Sequence, residues 1–307
     1  MSLMNGSVDI SAEKICAIIF NVESINFSET ERQIIENIRL PRTLVAILVG
    51  INLSLSGAIL QAVMKNPLAD PHIIGISSGA GLFGIFFMLA FDDVGALVTP
   101  AAFVGAMFAA FLIYILAWKD GIRPIRVILA GVAVNAFLGA GISALLIFYS
   151  EKVHAALLFM VGGLSTRSWS HAEILFPYTV FGTVLALLAA RHLNILQLGD
   201  EVAKGLGLRV NLARTILTAV AALLAASSVC VVGLLGFVGL IIPHATRLLI
   251  GSDYRFLLPG SALLGAAVLT FSDTLSRTIF SPVELPVGIL MAMLGAPFFL
   301  YLLRKEL

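Results

Sequence analysis

Long apolar runs dominate this chain of 307 residues. A helix of about 20 mostly apolar residues crosses the hydrocarbon layer of a bilayer, where every backbone N–H and C=O must be satisfied inside the helix. Such runs therefore predict helices, and we expect an all-α, polytopic transmembrane helical bundle. The nine candidate spans cover residues 42–64, 73–91, 96–118, 127–149, 172–190, 212–232, 235–250, 257–280 and 285–303.

The composition supports the same class. Hydrophobic residues make up 59% of the chain and charged residues 12%, whereas a soluble domain carries about 25% charged residues. The formal net charge of +1 gives no reason to expect nucleic acid as a partner. The two cysteines, Cys16 and Cys230, belong to no metal-ligand cluster. Because no linker divides the chain, we treat residues 1–307 as a single transmembrane domain.

Two local features refine the span assignment. The apolar segment 155–164 is too short to cross the membrane and is typical of a re-entrant or interfacial piece. The apolar stretch 212–250 is long enough for two spans, and Gly233 and Gly236 predict the turn between them.

Lysine and arginine are distributed unevenly between the connecting loops. Cytoplasmic loops carry the excess of these residues, so the richer set predicts the cytoplasmic side and a cytoplasmic C-terminus. Nine spans then place residues 1–40 outside, although no signal sequence is present to export them. We expect from this parity that a further helix lies upstream of Met1; the alternative is a miscounted span. The richer loops hold Lys65, Lys119, Arg123, Arg126, Arg191, Lys204, Arg209, Arg214, Arg247, Arg255, Arg304 and Lys305, and the opposite loops beyond the first span hold Lys152, Arg167 and Arg277.

Ionisable residues are almost absent within the predicted spans, with Asp273 as the main exception. Ion-coupled transporters keep such groups at membrane depth, so their scarcity argues against an ion-coupled secondary transporter, which stays the alternative. An intramembrane enzyme lacks support because the sequence has no His-Glu-x-x-His motif. It also has no Gly-x-x-x-x-Gly-Lys-Ser/Thr motif, so any ATP that drives this protein binds to another chain.

Small and weakly polar residues follow one face of the first span. Gly50, Ser54, Gly57 and Gln61 are spaced at i, i+4, i+7 and i+11, which is one side of a helix. Small residues let membrane helices approach closely, so this face predicts either a tight helix–helix seam or a pore wall. Asn135 in the fourth span has the same two interpretations.

The most specific motif of the chain begins at Gln61 and leads through a Pro-containing connection to a Ser-rich helix start. The two prolines would end the incoming helix, and Asn66 can form a turn. This segment resembles the signature of the type II ABC importer permeases that carry iron–siderophore complexes, haem and vitamin B12. The residues of the connection that carry the resemblance are Asn66, Pro67, Pro71, Gly75, Ser77, Ser78 and Gly79.

The resemblance continues in the family order over residues 198–207, 237–244 with Arg247, 284–288 and 295–298. It implies ten helices per subunit and a homodimer in the cytoplasmic membrane of a prokaryote. The implied partners are two cytoplasmic ATPase subunits, which bind ATP and Mg, and an extracytoplasmic substrate-binding protein. The permease itself then has no cofactor, no metal and no enzymatic activity. Residues 6–10 resemble the stretch just after the first family helix, in agreement with the parity argument.

The resemblance also implies that the loop 191–211 docks into the ATPase. Asp200 and Glu201 suit the start of a short helix, because acidic residues favour a helix N-terminus, and Gly205 and Gly207 allow the helix to end. A merely solvated loop is the alternative. We assign the coupling surface to Leu198, Gly199, Asp200, Glu201, Ala203, Lys204, Gly205, Leu206 and Gly207.

On the external face, the resemblance implies that arginines pair with glutamates of the binding protein. Arginine suits this task because its planar guanidinium grips a carboxylate in a fixed geometry, and interfacial anchoring is the alternative. The candidates are Arg39, Arg42 and Arg277.

The pore closure and the substrate are expected from the family alone. Arg123, Pro124 and Ile125 lie where the family closes its pore, unless Pro124 is simply a loop breaker. We expect a metal chelate as substrate, an Fe(III)–siderophore first and haem or cobalamin next.

Overall fold

The computed structural model describes residues 2–4, 6, 8–20, 22, 26–72, 75–91, 95–119, 124–281 and 283–306. Its helices are α1 (Ala12–Phe20), α2 (Glu29–Gln33), α3 (Leu40–Met64), α4 (Ile76–Ala90), α5 (Gly95–Ala117), α6 (Pro124–Phe148), α7 (Val153–Val161), α8 (Trp169–Leu188), α9 (Ala190–Gln197), α10 (Asp200–Gly205), α11 (Val210–Val232), α12 (Val238–Ile250), α13 (Tyr254–Thr278) and α14 (Val287–Glu306). A π-helical segment, Ile34–Arg39, joins α2 to α3, and a 3-10 turn, Ser150–Lys152, precedes α7. Every regular element in the described ranges is helical, which confirms the predicted all-α class.

Nine of these helices correspond to the nine predicted spans. Within the described residues, six of them (α3, α5, α6, α8, α11 and α13) are long and apolar enough to cross a membrane. The apolar parts of α4, α12 and α14 are shorter. α4 and α12 each begin only after a non-helical segment of the bundle, residues 65–72 and 233–237. The spans predicted at 73–91 and 235–250 are therefore too long.

The apolar piece predicted at 155–164 forms α7, a helix of nine residues between the spans α6 and α8. Non-helical backbone next to it is satisfied by other elements. The N–H of Leu234 donates to the carbonyl of Phe159 at 2.9 Å, and the N–H of Gly288 donates to that of Gly162 at 3.1 Å. The end of α7 thus joins the α11–α12 turn to the start of α14, as backbone within a membrane protein requires.

Gly233 ends α11 with a φ of 82°, which confirms the turn predicted between the sixth and seventh spans. Its α-carbon lies so close to the Phe159 carbonyl that a Cβ at this position would overlap the oxygen. Glycine is therefore required here for both its backbone conformation and its small size.

α3 and α11 form the centre of the bundle, each with 72% of its apolar window buried. Glycines bring α3 into backbone contact with its neighbours. A Cβ on Gly50 would overlap the carbonyl of Gly265 on α13, and one on Gly57 would overlap that of Gly239 on α12. Such small residues allow the close approach that favours helix association in a bilayer.

The N-terminal segment packs on one end of this bundle. A capping box at Ser28 starts α2, and helical backbone then continues from Glu29 to Met64. The helical backbone therefore begins well before residue 42, the predicted start of the first span. Ile10, Ile15 and Ile35 belong to a small buried apolar cluster beside this helical backbone.

Candidate functional site

The start and the end of α3 lie at opposite ends of the bundle, and these two ends carry different polar groups. The 25 residues of α3 span about 37 Å, with Arg42 near its start and Lys65 just after its end. We call these the Arg42 end and the Lys65 end. Between them, the segment before α4, α7, α12 and α14 line a cavity.

The cavity has a volume of about 760 Å³. Its wall is mostly apolar, and its described lining holds two titratable side chains. The lining includes Asp70, His72, Met160, Phe237, Met293 and Phe299. A concave, mostly apolar space of this size is typical of a small-molecule site.

Asp200 anchors the short helix α10 at the Lys65 end. Its carboxylate accepts from Nζ of Lys65 at 2.6 Å and from Nη1 and Nη2 of the buried Arg214 at 2.8 Å each. Partial burial raises the pKa of Asp200, but the hydrogen bonds from Lys65 and Arg214 outweigh it, so its pKa is lowered. The ionised carboxylate therefore ties α10 to the end of α3 and to α11.

The predicted helix boundaries of the coupling loop are confirmed. α10 begins at Asp200 after Gly199 (φ 103°), and the chain turns at Gly207 (φ 82°) after the helix ends at Gly205. Both glycines lie in the left-handed φ range that favours glycine, with open space around them.

The outer face of this loop is apolar. Leu198, Val202 and Leu206 are each more than half exposed. Val202 lies in α10, whereas Leu198 lies at the end of α9 before Gly199 and Leu206 follows the last residue of α10. Val202 was missed from the sequence, and a helix of six residues has no periodicity that could have found it. Ala203, predicted to belong to the surface, is instead fully buried on the inner side of α10.

Glu201 and Lys204 remain on the exposed side of α10. Their side chains pair at 2.8 Å, and this hydrogen bond raises the pKa of Lys204. The pair forms a polar edge beside the exposed apolar side chains of Leu198, Val202 and Leu206. Together, the polar edge and the apolar side chains make a surface suited to contact with another protein.

The structure brings the three predicted docking arginines together at the Arg42 end, but it buries all of them. Arg42 grips Asp273 from α13, with Nη2 at 2.9 Å from Oδ1, and its Nη1 lies 2.7 Å from Glu284. Nε of Arg277 lies 3.4 Å from Asp273. Asp273, the main charged exception within the predicted spans, is therefore paired with two arginines.

Arg39 serves the N-terminal segment. Its guanidinium donates to the carbonyls of Leu3 at 2.8 Å, Met4 at 3.1 Å and Val8. Nη2 of Arg277 donates to the Ser2 carbonyl at 2.9 Å. Their donors thus face this chain's own residues, and the docking role stays a prediction.

The signature connection follows the predicted chemistry. α3 ends at Met64 before Pro67, and the Asn66 side chain accepts from the N–H of Leu68 at 2.9 Å, which closes the turn. Gly75, with a φ of 90°, precedes α4, so Ser77, Ser78 and Gly79 lie in its first turns. Pro71 is buried beside Asp70 and packs against α12 near Gly239.

The predicted pore residues divide between two environments. Gly50, Ser54 and Gly57 lie buried in the α3 seam with α13 and α12, the first of the two interpretations. Gln61 donates to the Gly239 carbonyl at 3.2 Å. The hydroxyl of Ser78 on α4 donates a hydrogen bond to Oδ1 of Asn135 on α6.

Pro124 and Ile125 form the first turn of α6, and Ile125 is exposed. Arg123 lies outside the described residues. The predicted pore closure at this connection therefore stays a prediction.

Comparison with known proteins gives one consistent result. The model of the FecCD transport family matches residues 1–305. The Fe(3+)-citrate import system permease protein YfmE of Bacillus subtilis is 43% identical over 89% of this chain and 82% of its own length. The cobalamin import system permease protein BtuC of Halobacterium salinarum is 44% identical over 91% of this chain and 75% of its own. A solved inward-facing conformation of a metal-chelate type ABC transporter superposes with a TM-score of 0.84 at 30% identity, over 95% of this chain and 96% of that one.

Proposed function

The chain belongs to the FecCD transport family, as a permease of the metal-chelate ABC importer type, and from that premise we propose that it carries an Fe(III)–siderophore into the cytoplasm. ATP hydrolysed on a separate cytoplasmic subunit drives the transport. Haem and cobalamin are the next candidates, since the relatives named above serve both an iron chelate and cobalamin.

The observation that carries this proposal is the anchored helix α10. α10 and the residues directly before and after it present three exposed apolar side chains at the end of the bundle, which is a surface to be covered by another protein. Because Asp200 fastens α10 to α3 and α11, a displacement of α10 is passed directly to the two central helices. This is the geometry expected of a coupling element.

At the opposite end, we propose that an extracytoplasmic binding protein docks over the Arg42 cluster. Arg42 and Arg277 face the carboxylates of Asp273 and Glu284 there, and Arg39 lies on the N-terminal segment near Asp9. Guanidinium groups at this end are the groups that acidic side chains on such a partner would recognise.

The remaining surface suits a membrane and a second copy. Exposed apolar side chains cover α5, α6 and α8, among them Phe111, Phe137 and Phe181. We propose a homodimer in the cytoplasmic membrane, with the Lys65 end and the C-terminus inside. An ion-coupled mechanism is disfavoured because Asp273 is already paired with Arg42 and Arg277.

The test is uptake of a labelled Fe(III)–siderophore into proteoliposomes that contain the permease, its ATPase and the binding protein. Uptake is expected only with ATP and all three components. Leu206→Glu, which puts a charge among the exposed apolar side chains, is expected to lower ATP-driven uptake about tenfold, while Leu206→Met keeps the apolar surface and the activity.

Two results would speak against this proposal. Uptake driven by an ion gradient without the ATPase would overturn the importer mechanism. Equal activity of Leu206→Glu and Leu206→Met would remove α10 as the coupling surface.

A further inference from the structure

One face of α12 lines two separate spaces. Phe237 and Leu240 at its start face the 760 Å³ cavity, whereas His244 and Arg247 border a polar pocket of about 320 Å³ at the Lys65 end. Leu240, His244 and Arg247 follow at i, i+4 and i+7, so they share one side of the helix, and Phe237 directly precedes it. α12 therefore runs from the cavity towards the Lys65 end.

α14 closes against this face at two points. The ring of Phe237 lies directly on Gly295, where a Cβ on the glycine would overlap the ring. Farther along, the ring of Phe298 meets that of His244 edge-on, with centroids 5.7 Å apart and an interplanar angle of 75°. These four residues, which we call the aromatic closure, stand between the cavity and the polar pocket.

The α12 side of the closure is held in place by its other neighbours. The buried Asp70 carboxylate accepts from the backbone N–H groups of His72, at 2.8 Å, and Leu240 in the first turn of α12. Gln61 of α3 donates to the carbonyl of Gly239 at 3.2 Å and accepts from Nη2 of Arg247 at 3.2 Å. These contacts fix the first turn of α12, so Asp70 acts as a positioning residue for this turn.

The backbone of Phe237 supports a functional reading of this turn. Its φ of 67° is in the left-handed range, which a bulky aromatic residue rarely adopts. Strained backbone of this kind persists only where the surroundings enforce it, and it collects at ligand-contacting and switching sites. Here the strain places the ring against α14 in the cavity wall.

We propose that the aromatic closure seals the cavity towards the Lys65 end and parts in each transport cycle as α12 and α14 separate. This rests on the proposed transport function. α12 is tied to α3 and to Asp70, so it follows a displacement of α3, whereas α14 supplies the facing wall of the cavity, including Met293 and Phe299.

The test is a reversible cross-link. In a Cys16→Ser/Cys230→Ser background, Phe237→Cys with Gly295→Cys places two thiols across the closure, since the Cβ of Phe237 lies 2.6 Å from the Cβ position of residue 295. A disulfide needs a Cβ separation of about 3.8 Å, so a small shift suffices. The matched control is Gly84→Cys with Ala102→Cys, which joins α4 to α5 at a Cβ separation of 3.2 Å away from the closure.

Oxidation is expected to abolish ATP-driven uptake in the closure pair, and reduction to restore it, with the control pair active in both states. Full uptake by the oxidised closure pair would overturn the proposal. No uptake by the unmodified chain would instead overturn the transport function on which it rests.

If the reduced closure pair is itself inactive, a second measurement tests whether the closure moves. The rate of cross-linking is compared between the nucleotide-free complex and one held with ATP by an ATPase that cannot hydrolyse it. We expect the rates to differ about threefold or more. Equal rates in the two states would show that the closure does not move and would refute the proposal.

Discussion

Asp200 and Asp273 hold opposite ends of the bundle, and burial makes their roles different. Asp273 is almost fully buried and pairs with Arg42 and Arg277, so it is a fixed part of the packing. Asp200 is half-buried and joins Lys65 to Arg214, so it can still respond to a partner at the surface. Both residues were found in the sequence by their charge. Arg277 follows Asp273 at i+4, a spacing that the sequence alone can pair, whereas the other partners lie 14 to 231 positions away and spacing cannot reveal them.

Asp273→Asn is expected to destabilise the chain strongly. It leaves Arg42 and Arg277 in a buried site without their shared carboxylate, and breaking a buried pair costs about 3–5 kcal/mol. Glu284→Gln removes the other partner of Arg42, but that side chain is 45% exposed, and such a pair contributes about 1 kcal/mol or less. Thermal unfolding in detergent should place Asp273→Asn far below Glu284→Gln. Similar midpoints for the two variants would contradict this assignment.

Asp200→Asn is expected to cost about 1–2 kcal/mol, since it removes a carboxylate from the buried Arg214 while solvent screens part of the interaction. The pKa of Asp200 is lowered in the folded chain. Its contribution is therefore fully present above the unfolded value of about 3.9 and is lost as the pH falls through the folded value. The midpoint difference between wild type and Asp200→Asn should stay constant from about pH 6 to 8 and shrink below about pH 4. A difference that grows on acidification would refute it.

Helices were predictable where the apolar runs are long, because the bilayer leaves backbone no other partner. The start of α12 was not. α12 begins only at Val238 because Asp70 and Gln61 satisfy and hold its first turn from distant parts of the chain, and hydropathy carries no trace of such contacts. The aromatic closure was likewise invisible, although its Phe237 and Phe298 lie in segments recognised by family resemblance. The spacing of small residues on α3 allowed two interpretations, a helix–helix seam or a pore wall. Only the contacts with Gly239 and Gly265 show that this face lies in a seam.

Gly57→Ala tests how closely α3 and α12 depend on each other. The added Cβ would overlap the carbonyl of Gly239, and backbone cannot yield as a side chain would, so overpacking should cost about 1–3 kcal/mol. Gly95→Ala at the start of α5 is the control, because nothing lies within 4 Å of its added Cβ. We expect a clear drop in thermal midpoint for Gly57→Ala and little change for Gly95→Ala. Equal midpoints would show that the contact is looser than described.

At the scale of the whole molecule, the helices differ in whether their apolar side chains are buried in the bundle or exposed at its surface. α3 and α11 are buried as in a soluble core, whereas most of α6 and α8 is exposed and apolar. Lipid can cover such faces, but it cannot complete a cavity. Met293 lines the 760 Å³ cavity and is nevertheless 71% exposed, so the cavity is open at α14. A passage for a large chelate needs a wall on that side, and a second copy related by a two-fold axis would supply it.

This gives a prediction for the assembled transporter. Spin labels are attached at Met293→Cys or, as the control, at Leu263→Cys, both in the Cys16→Ser/Cys230→Ser background. Leu263 is 74% exposed on α13 and lines a different hollow. Because a two-fold axis beside the cavity brings the two copies of α14 together, the distance between labels at Met293 should be the shorter one. A shorter distance at Leu263 would place the axis beside α13, and then each cavity would have to be closed by something other than the second copy.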